Sequence, residues 1–418
     1  MQAVVFRGVG DIRLEDVPLP KLEAPTDAIV HLTASAICGT DLHFVRGTVG
    51  PLRPGTILGH EGVGIVEIAG PEVRSFRSGD RVVVCSTIAC GVCVYCRNGE
   101  YSQCDRANPR GPASGTAFFG GPEASGPFQG LQAQKARIPF AATTLVSVPS
   151  GVSDEQAILA SDIFPTGYFA ADLADIRPGR TLAIFGCGPV GQCAILSAKL
   201  MNAGRIFAVD AIPSRLERAR AQGAEVIDYN REDPVEALRQ LTGGIGVDRV
   251  IDAVGVDANR PRAVTGTKAE PVAQGEPLAK AEHAANDPRQ VAPQPHAGDG
   301  RWQPGDGPAQ VLTWAVQALA KAGRLAIVGV YPEAARIFPI GQAMNKNLTL
   351  AMGNCPHRKY VPQLLEMIAA GLADPAVLLT KAEPITDAIA AYQAFDQRQP
   401  GWLKVKLDPQ RQAQLRAA

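Results

Sequence analysis

Neither positive nor negative charge is in excess in this chain: 41 Lys and Arg stand against 41 Asp and Glu, for a formal net charge of zero. That balance offers no basic field for nucleic acid or an anionic membrane surface. Long apolar runs are missing too; no uncharged stretch reaches the roughly 18 residues of a membrane span. The opening residues, MQAVVFRGVGDIRLEDV, carry charges where a secretory leader has its apolar core. The expectation is a cytoplasmic protein that works on neither nucleic acid nor membrane. Low complexity is confined to one segment, and the 43 Gly and 33 Pro otherwise mark turns. What is present is length: 418 residues can build two or three domains with sizeable cores. Nine cysteines is an odd count, poorly suited to full pairing. In a reducing compartment a tight cysteine cluster points to metal rather than disulfides.

The first 150 residues or so read as short strands between turn signals, among them AVVF, AIVHLTASAIC, GVGIVEIAG and RVVVCST. This predicts an all-β region, a small barrel with long loops. From Thr181 the rhythm changes. TLAIFG reads as a buried strand, and PVGQCAILSAKLMNAG as a helix ending at a glycine cap. RIFAVD, EVIDYN, DRVIDAVG and RLAIVGVY follow as strands, separated by the helices SRLERARAQG, PVEALRQLTGG and VLTWAVQALAKAG; NLTLAMGN is a candidate sixth strand. Strands alternating with helices predict a parallel, doubly wound α/β sheet. Residues after about 351 are mixed and are expected to return to the first domain. The segment Val256 to Gln310 interrupts the rhythm with Pro, Ala, Gln and Gly and little periodicity, as a linker does.

Three motifs carry chemistry. Cys90, Cys93, Cys96 and Cys104 have the spacing C-x2-C-x2-C-x7-C. Tetrahedral zinc takes four such thiolates, and a four-cysteine set leaves no position open for substrate, so this site is structural. Plain thiols and an iron–sulfur cluster are the alternatives. ICGTDLHF offers Cys38, Thr40, Asp41 and His43, and LGHEGVG offers His60 and Glu61. One Cys and one His from separate loops can begin a catalytic zinc site with three protein ligands and one open position. FGCGPVG supplies Gly186-x-Gly188-x-x-Gly191 between a strand and a helix, the pattern that seats a pyrophosphate at a helix N-terminus. Asp210 ends the next strand, nineteen residues after Gly191, where a carboxylate holds the adenosine ribose 2′-OH and repels a 2′-phosphate. NAD is therefore expected over NADP. The alternative for Asp210 is an ordinary cap or turn residue.

CGTDLH, GHEGVG, the four-cysteine lobe, GCGPVG and AIVGVY occur in the order found in zinc-dependent medium-chain alcohol dehydrogenases, and the sequence resembles that family over nearly its whole length. GPFQGLQAQKARIPFA, SDIFPTGY and MNKNLTLAMGNCPHRKYVPQLLEMI are similar to the glutathione-independent formaldehyde dehydrogenase branch. The resemblance implies a GroES-like β-barrel catalytic domain, split between 1–163 and 351–418, and a Rossmann NAD-binding domain over 164–350 with an insertion at about 256–310. It implies two zincs per chain. Cys38, His60 and Asp162 are the implied ligands of the catalytic zinc, with Asp162 where better-known relatives carry cysteine. One thiolate and one carboxylate still neutralise Zn²⁺, although oxygen is the harder donor. Glu61 matches a supporting or alternate ligand. Thr40 matches the hydroxyl that accepts the substrate proton, and His43 the relay that passes it to solvent. An ordinary, partly buried histidine is the alternative at His43.

Cofactor contacts are implied for Thr166, Gly186, Gly188, Pro189, Val190, Gly191, Asp210, Arg215, Val254 and Gly329. The implied reaction is hydride transfer between NAD and a small alcohol or hydrated aldehyde, with formaldehyde the leading candidate, in a homodimer or homotetramer. If the insertion is a flap that seals NAD in, the enzyme is expected to act as an aldehyde dismutase; the alternative is a solvated loop. Phe44, Phe118, Phe119 and Phe164 are candidate pocket walls. A quinone reductase-like or regulatory relative, or a non-catalytic NAD- and zinc-binding scaffold, are the rival classes.

Overall fold

A computed structural model describes residues 1–108, 110–111, 115–262, 305–333 and 335–411. The core of the interruption, 263–304, lies outside the described residues. The described chain divides into two units, one of 1–165 with 354–411, the other of 166–262 with 305–353.

The first unit is built around one long strand, Ala28–Ile37, of which eight of ten residues are buried. Its Val, Ile and Thr side chains favour a pleated surface, and its small Ala residues fit where both faces are covered. It pairs antiparallel with Gly62–Ala69, Lys135–Ile138 and Val405–Asp408. Arg81–Val84 and Leu145–Ser147 continue the sheet on one side, and Lys381–Pro384 joins Val405–Asp408 in parallel on the other. Gly64 is a packing requirement: a Cβ there would lie 2.2 Å from the His31 carbonyl oxygen. Register then fixes the site. Ser35 faces Gly62, and Val405 faces Ile37. The segments just beyond these pairs carry Cys38, His60 with Glu61, and Lys404, so three distant stretches converge at one sheet end.

The second unit holds six parallel strands in the order Glu225–Asp228, Ile206–Asp210, Leu182–Phe185, Val247–Asp252, Leu319–Ile327 and Thr349–Met352. In chain order that is third, second, first, fourth, fifth, sixth, the doubly wound arrangement the alternating pattern predicts. NLTLAMGN does form the sixth strand.

Two boundaries differ from expectation. The helix Pro189–Leu200 is closed by Met201, not by a glycine. Asn202 takes the left-handed backbone (φ 59°), a conformation its short polar side chain tolerates. Gly204 serves packing instead, since a Cβ there would meet the Gly179 oxygen at 2.7 Å. The stretch VLTWAVQALAKAG is not one helix: Gln310–Ala318 is helical and Leu319 already pairs with Val247 as strand. Ala322 then adopts φ 57°, and the pairing resumes at Arg324 opposite Arg249. Pairing with Val247 overrides the helix propensity of Ala and Lys. No helix among the described residues is long and apolar enough to cross a membrane.

Candidate metal and cofactor sites

In the first unit, Cys90, Cys93, Cys96 and Cys104 converge with all four sulfurs within 4.8 Å of one another. Cys90 and Cys96 sulfurs are 4.0 Å apart, and Cys93 and Cys104 sulfurs 3.9 Å. Disulfides require about 2.05 Å. Tetrahedral bonds of about 2.3 Å to one zinc place sulfurs about 3.8 Å apart, so the spacing fits a shared metal. The backbone N–H of Cys90 donates to Cys104 Sγ (3.2 Å) and that of Val92 to Cys90 Sγ (3.4 Å), support that suits thiolates. The lobe turns Val92, Val94 and Tyr95 outward. Cys96 and Cys104 instead face inward and pack with Ile88, Ala89 and Ala107.

The second donor set assembles at the sheet end. Cys38 Sγ, a nitrogen of His60 and carboxylate oxygens of Glu61 and Asp162 lie within 4.8 Å of one another, all on buried residues. Cys38 Sγ and His60 Nε2 each stand 3.5 Å from Asp162 Oδ2. Each donor has its own support. Cys38 precedes the helix Gly39–Arg46 and donates its N–H to Asp41 Oδ2 (2.9 Å). Asp41 Oδ1 lies 3.0 Å from His60 Nδ1, an ion-pair distance without hydrogen-bond alignment. Gln132 Nε2 also reaches Asp41 Oδ2 (3.3 Å), and Tyr392 donates to Gln132 Oε1 (2.9 Å). Ser86 Oγ lies 2.9 Å from the His60 carbonyl and 3.1 Å from that of Ser161, tying the two loops together. Asp162 Oδ1 pairs with His357 Nε2 (2.9 Å). Glu61 Oε1 is held by Lys404, which also donates to the Ile37 carbonyl (3.1 Å), while Glu61 Oε2 is buried with no hydrogen-bond partner among the described residues.

Electrostatics shows what this set holds without a metal. Burial opposes a charged ring at His60, but Asp41 and Asp162 outweigh it and hold the imidazole well above the usual histidine range. Burial also opposes the Asp162 carboxylate, yet hydrogen bonds from His357 and His60 keep it well below the usual carboxylate range. Burial pushes the Cys38 thiol up, with Asp162 adding to it. Glu61 is pushed up to about 7 by burial, against the pull of Lys404. A thiol, an imidazole and two carboxylates, one with an orphaned buried oxygen, are the chemistry of a cation site.

Thr40 and His43 stand three positions apart on the helix Gly39–Arg46, Thr40 half-buried and His43 buried. Phe44 and Phe118 stand steeply inclined to the His60 ring, at 6.3 and 6.4 Å between centroids and 72° and 69° between planes. Phe119 and Phe164 are instead fully buried, Phe119 among core residues of the sheet.

The second unit holds the glycine loop. Gly186 has φ 90°, and a Cβ there would strike Val254 Cγ2 at 2.5 Å. At Gly191 a Cβ would lie 1.8 Å from the Gly186 oxygen, so helix and strand pack this closely only through glycine. Gly188 precedes the helix that begins with Pro189 and Val190, and Arg215 Nη1 lies 3.7 Å from the place of its missing Cβ. Asp210 Oδ1 accepts from the N–H of Ala211 (2.7 Å) and Ile212 (2.9 Å), and its Oδ2 from Cys187 N–H (2.7 Å). Asp210 is thus a turn residue and a brace for the glycine loop at once. Val254 and Gly329 sit past the ends of neighbouring strands. A Cβ on Gly329 would be 2.3 Å from Gly255 N. Thr166 is half-buried in the helix Ile163–Leu173.

Sequence reasoning missed several supports: Lys404, His357 and Gln132 in the first unit, Gln192 and Asp252 in the second. Gln192 donates to the Cys187 and Arg215 carbonyls (3.1 and 2.9 Å). Asp252 accepts from Val254 and Gly255 N–H (2.9 and 3.0 Å) and from Tyr331 OH (2.8 Å). A lysine set between apolar residues in GWLKVKL is the one signal the sequence holds for Lys404.

One unit with a closed thiol cluster and an open mixed cluster, and another with a dinucleotide-type parallel sheet, are the parts of a zinc-type dehydrogenase. Residues 24–150 match the alcohol dehydrogenase GroES-like domain, and residues 189–270 the zinc-binding dehydrogenase domain. A zinc-type alcohol dehydrogenase-like protein of Bacillus subtilis is 33% identical over 98% of this chain and all of its own. Glutathione-independent formaldehyde dehydrogenase of Pseudomonas aeruginosa is 35% identical over 62% of this chain and 66% of its own. Among solved structures, the alcohol dehydrogenase TADH of Thermus sp. ATN1 superposes with a TM-score of 0.78 at 32% identity, covering 98% of this chain and 99% of the other. The chain belongs to the zinc-type alcohol dehydrogenase family: it is an oxidoreductase with GroES-like and Rossmann-like domains.

Proposed function

We propose that the protein transfers hydride between NAD and a small primary alcohol or hydrated aldehyde, with formaldehyde the leading substrate, and carries two zincs per chain. The observation that carries this reading is the convergence of Cys38, His60 and Asp162, with Glu61, in one buried cluster separate from the four thiols. Zinc at the open site, once bound, supplies a Lewis acid for the negative charge that develops on the substrate oxygen. The chain's residues do the rest. Cys38 and Asp162 balance the ion's charge. Asp41 faces His60 Nδ1 and leaves Nε2 for the metal. Thr40 takes the substrate's hydroxyl proton and His43, one turn on, carries it onward. Phe44 and Phe118 make the surroundings of His60 apolar. A hydrated aldehyde is a diol, so it gives up a proton and a hydride as an alcohol does. The name of the Pseudomonas aeruginosa relative favours formaldehyde.

At the other site, Asp210 supports NAD over NADP. Three of the roughly four acceptor positions of a carboxylate are filled by backbone N–H groups, leaving one for a ribose hydroxyl, and the charge opposes a 2′-phosphate. By family likeness the enzyme is a cytoplasmic homo-oligomer.

Metal analysis and a substrate panel test the proposal together. Two zincs per chain and NAD-linked turnover of formaldehyde or short primary alcohols are expected. Asp210→Ala is expected to narrow the NAD-to-NADP ratio of kcat/KM by roughly tenfold or more, the worth of about one charged hydrogen bond. With both zincs present, inactivity on every short alcohol and aldehyde sinks the substrate class. A wild type that prefers NADP sinks the cofactor assignment.

A further inference from the structure

Asp162 has two oxygens, and only Oδ2 faces Cys38 and His60. A cysteine in the same place presents a single sulfur and needs nothing behind it. A carboxylate used as a ligand brings a second oxygen, which must be satisfied in a buried setting or be free to rotate the wrong way toward the ion. Here that oxygen meets His357 Nε2 at 2.9 Å. His357 is the first residue of the helix His357–Ala369 and is itself buried. Its other nitrogen, Nδ1, lies 3.2 Å from Thr87 Oγ1, and Thr87 Oγ1 lies 3.4 Å from the Cys355 carbonyl. The ring is therefore fixed at both ends. A carboxylate has no hydrogen to offer, so the proton of this bond resides on Nε2.

We infer that His357 is a positioning residue for the open metal site: it holds Asp162 Oδ1 so that Oδ2 alone is presented to the ion, and Thr87 fixes the orientation of the ring. The inference rests on Asp162 being a metal ligand. It makes the carboxylate and His357 one functional pair, with the histidine's value tied to oxygen rather than sulfur at the ligand position. No bond to substrate is involved. The consequence is read in the affinity and symmetry of the ion's surroundings before any turnover.

The test compares four variants of the full chain with the wild type: His357→Ala, His357→Gln, Asp162→Cys and the double variant Asp162→Cys/His357→Ala, together with Asp162→Ala as reference. Zinc retention is followed in a chelator titration, with circular dichroism to confirm folding. The visible bands of Co²⁺-substituted protein report on coordination geometry. His357→Ala is expected to release the open-site zinc at about 10- to 100-fold lower chelator and to shift the Co²⁺ bands, the cost usual for an outer partner of a ligand. The more slowly released zinc of the thiol cluster is expected to stay. His357→Gln retains an N–H donor and should recover most of the affinity. In the Asp162→Cys background, His357→Ala should change retention by less than about threefold, because no second oxygen remains to be held. Wild-type retention and spectrum in His357→Ala, while Asp162→Ala loses the zinc, would overturn the positioning role alone. An equal loss in both backgrounds would overturn it as well, by showing a role in folding. Full zinc retention in Asp162→Ala would overturn the ligand assignment beneath it.

Discussion

The two donor clusters of the first unit make opposite use of the chain. The four thiols come from one stretch of fifteen residues, and the hydrogen bonds from Cys90 and Val92 are backbone ones within it. The open cluster draws Cys38, His60 and Asp162 from across 125 positions, and buried polar residues back it: Asp41 beside Cys38 and His60, and His357 behind Asp162. A closed site needs only spacing, because the ion fills every valence with chain atoms. An open site has to hold its geometry with a position left for substrate, so the fold supplies the rigidity that the missing ligand does not.

Removing one donor from the open set gives the largest expected effect. Asp162→Ala should empty that site and lower kcat/KM by at least about a thousandfold, roughly 4 kcal/mol of barrier, with folding retained. Metal content and steady-state rates check it, and a variant that keeps two zincs and full rate removes the contrast. Lys404→Met strikes the support instead of the donor. It leaves Glu61 buried without its cation, and a loss of about 3–5 kcal/mol in unfolding free energy is expected from denaturant titration. Cys93→Ser strikes the closed set: one zinc should be lost and stability should fall by about 3 kcal/mol, with the open-site zinc still bound. If Cys93→Ser empties both sites, the clusters are not independent.

The smallest effect is in pH. With the open site emptied by chelator, His60 and Glu61 both titrate above their ordinary values, Glu61 at about 7. Groups raised on folding give their stabilisation fully below the unfolded pKa and lose it as pH rises through the folded one. Thermal unfolding of the emptied protein should therefore move down by a few degrees between pH 5 and 8. Zinc-loaded protein should not follow, since the ion replaces those protons. A parallel fall in both forms contradicts the assignment.

The sequence was most readable where chemistry is local. Spacing alone announces Cys90 to Cys104, and Gly186, Gly188 and Gly191 announce a loop in which neighbouring atoms fill the Cβ positions of Gly186 and Gly191. Alternation of strands and helices announced the parallel sheet. What stayed hidden depends on pairing across long sequence distances. Lys404 reaches Glu61 only because Val405 falls opposite Ile37 in the sheet, a register no short window contains. His357 looked like any histidine after a proline until Asp162 stood 2.9 Å away. The misread helix at Leu319 has the same origin, since strand pairing to Val247 outvoted a good helical composition.

Asp210 carries a last consequence. One carboxylate fixes its own turn and steadies Cys187 beside the glycine loop, and in the proposed function it also reads the ribose. If that proposal holds, preference for a coenzyme and the shape of its cradle are written in the same atoms. A redesign toward NADP cannot treat this position as a free dial. Deleting the charge also loosens the loop, so the altered ratio comes first from damage to NAD use, and a productive exchange has to restore two or three acceptors for backbone N–H groups before it adds a cation for the phosphate.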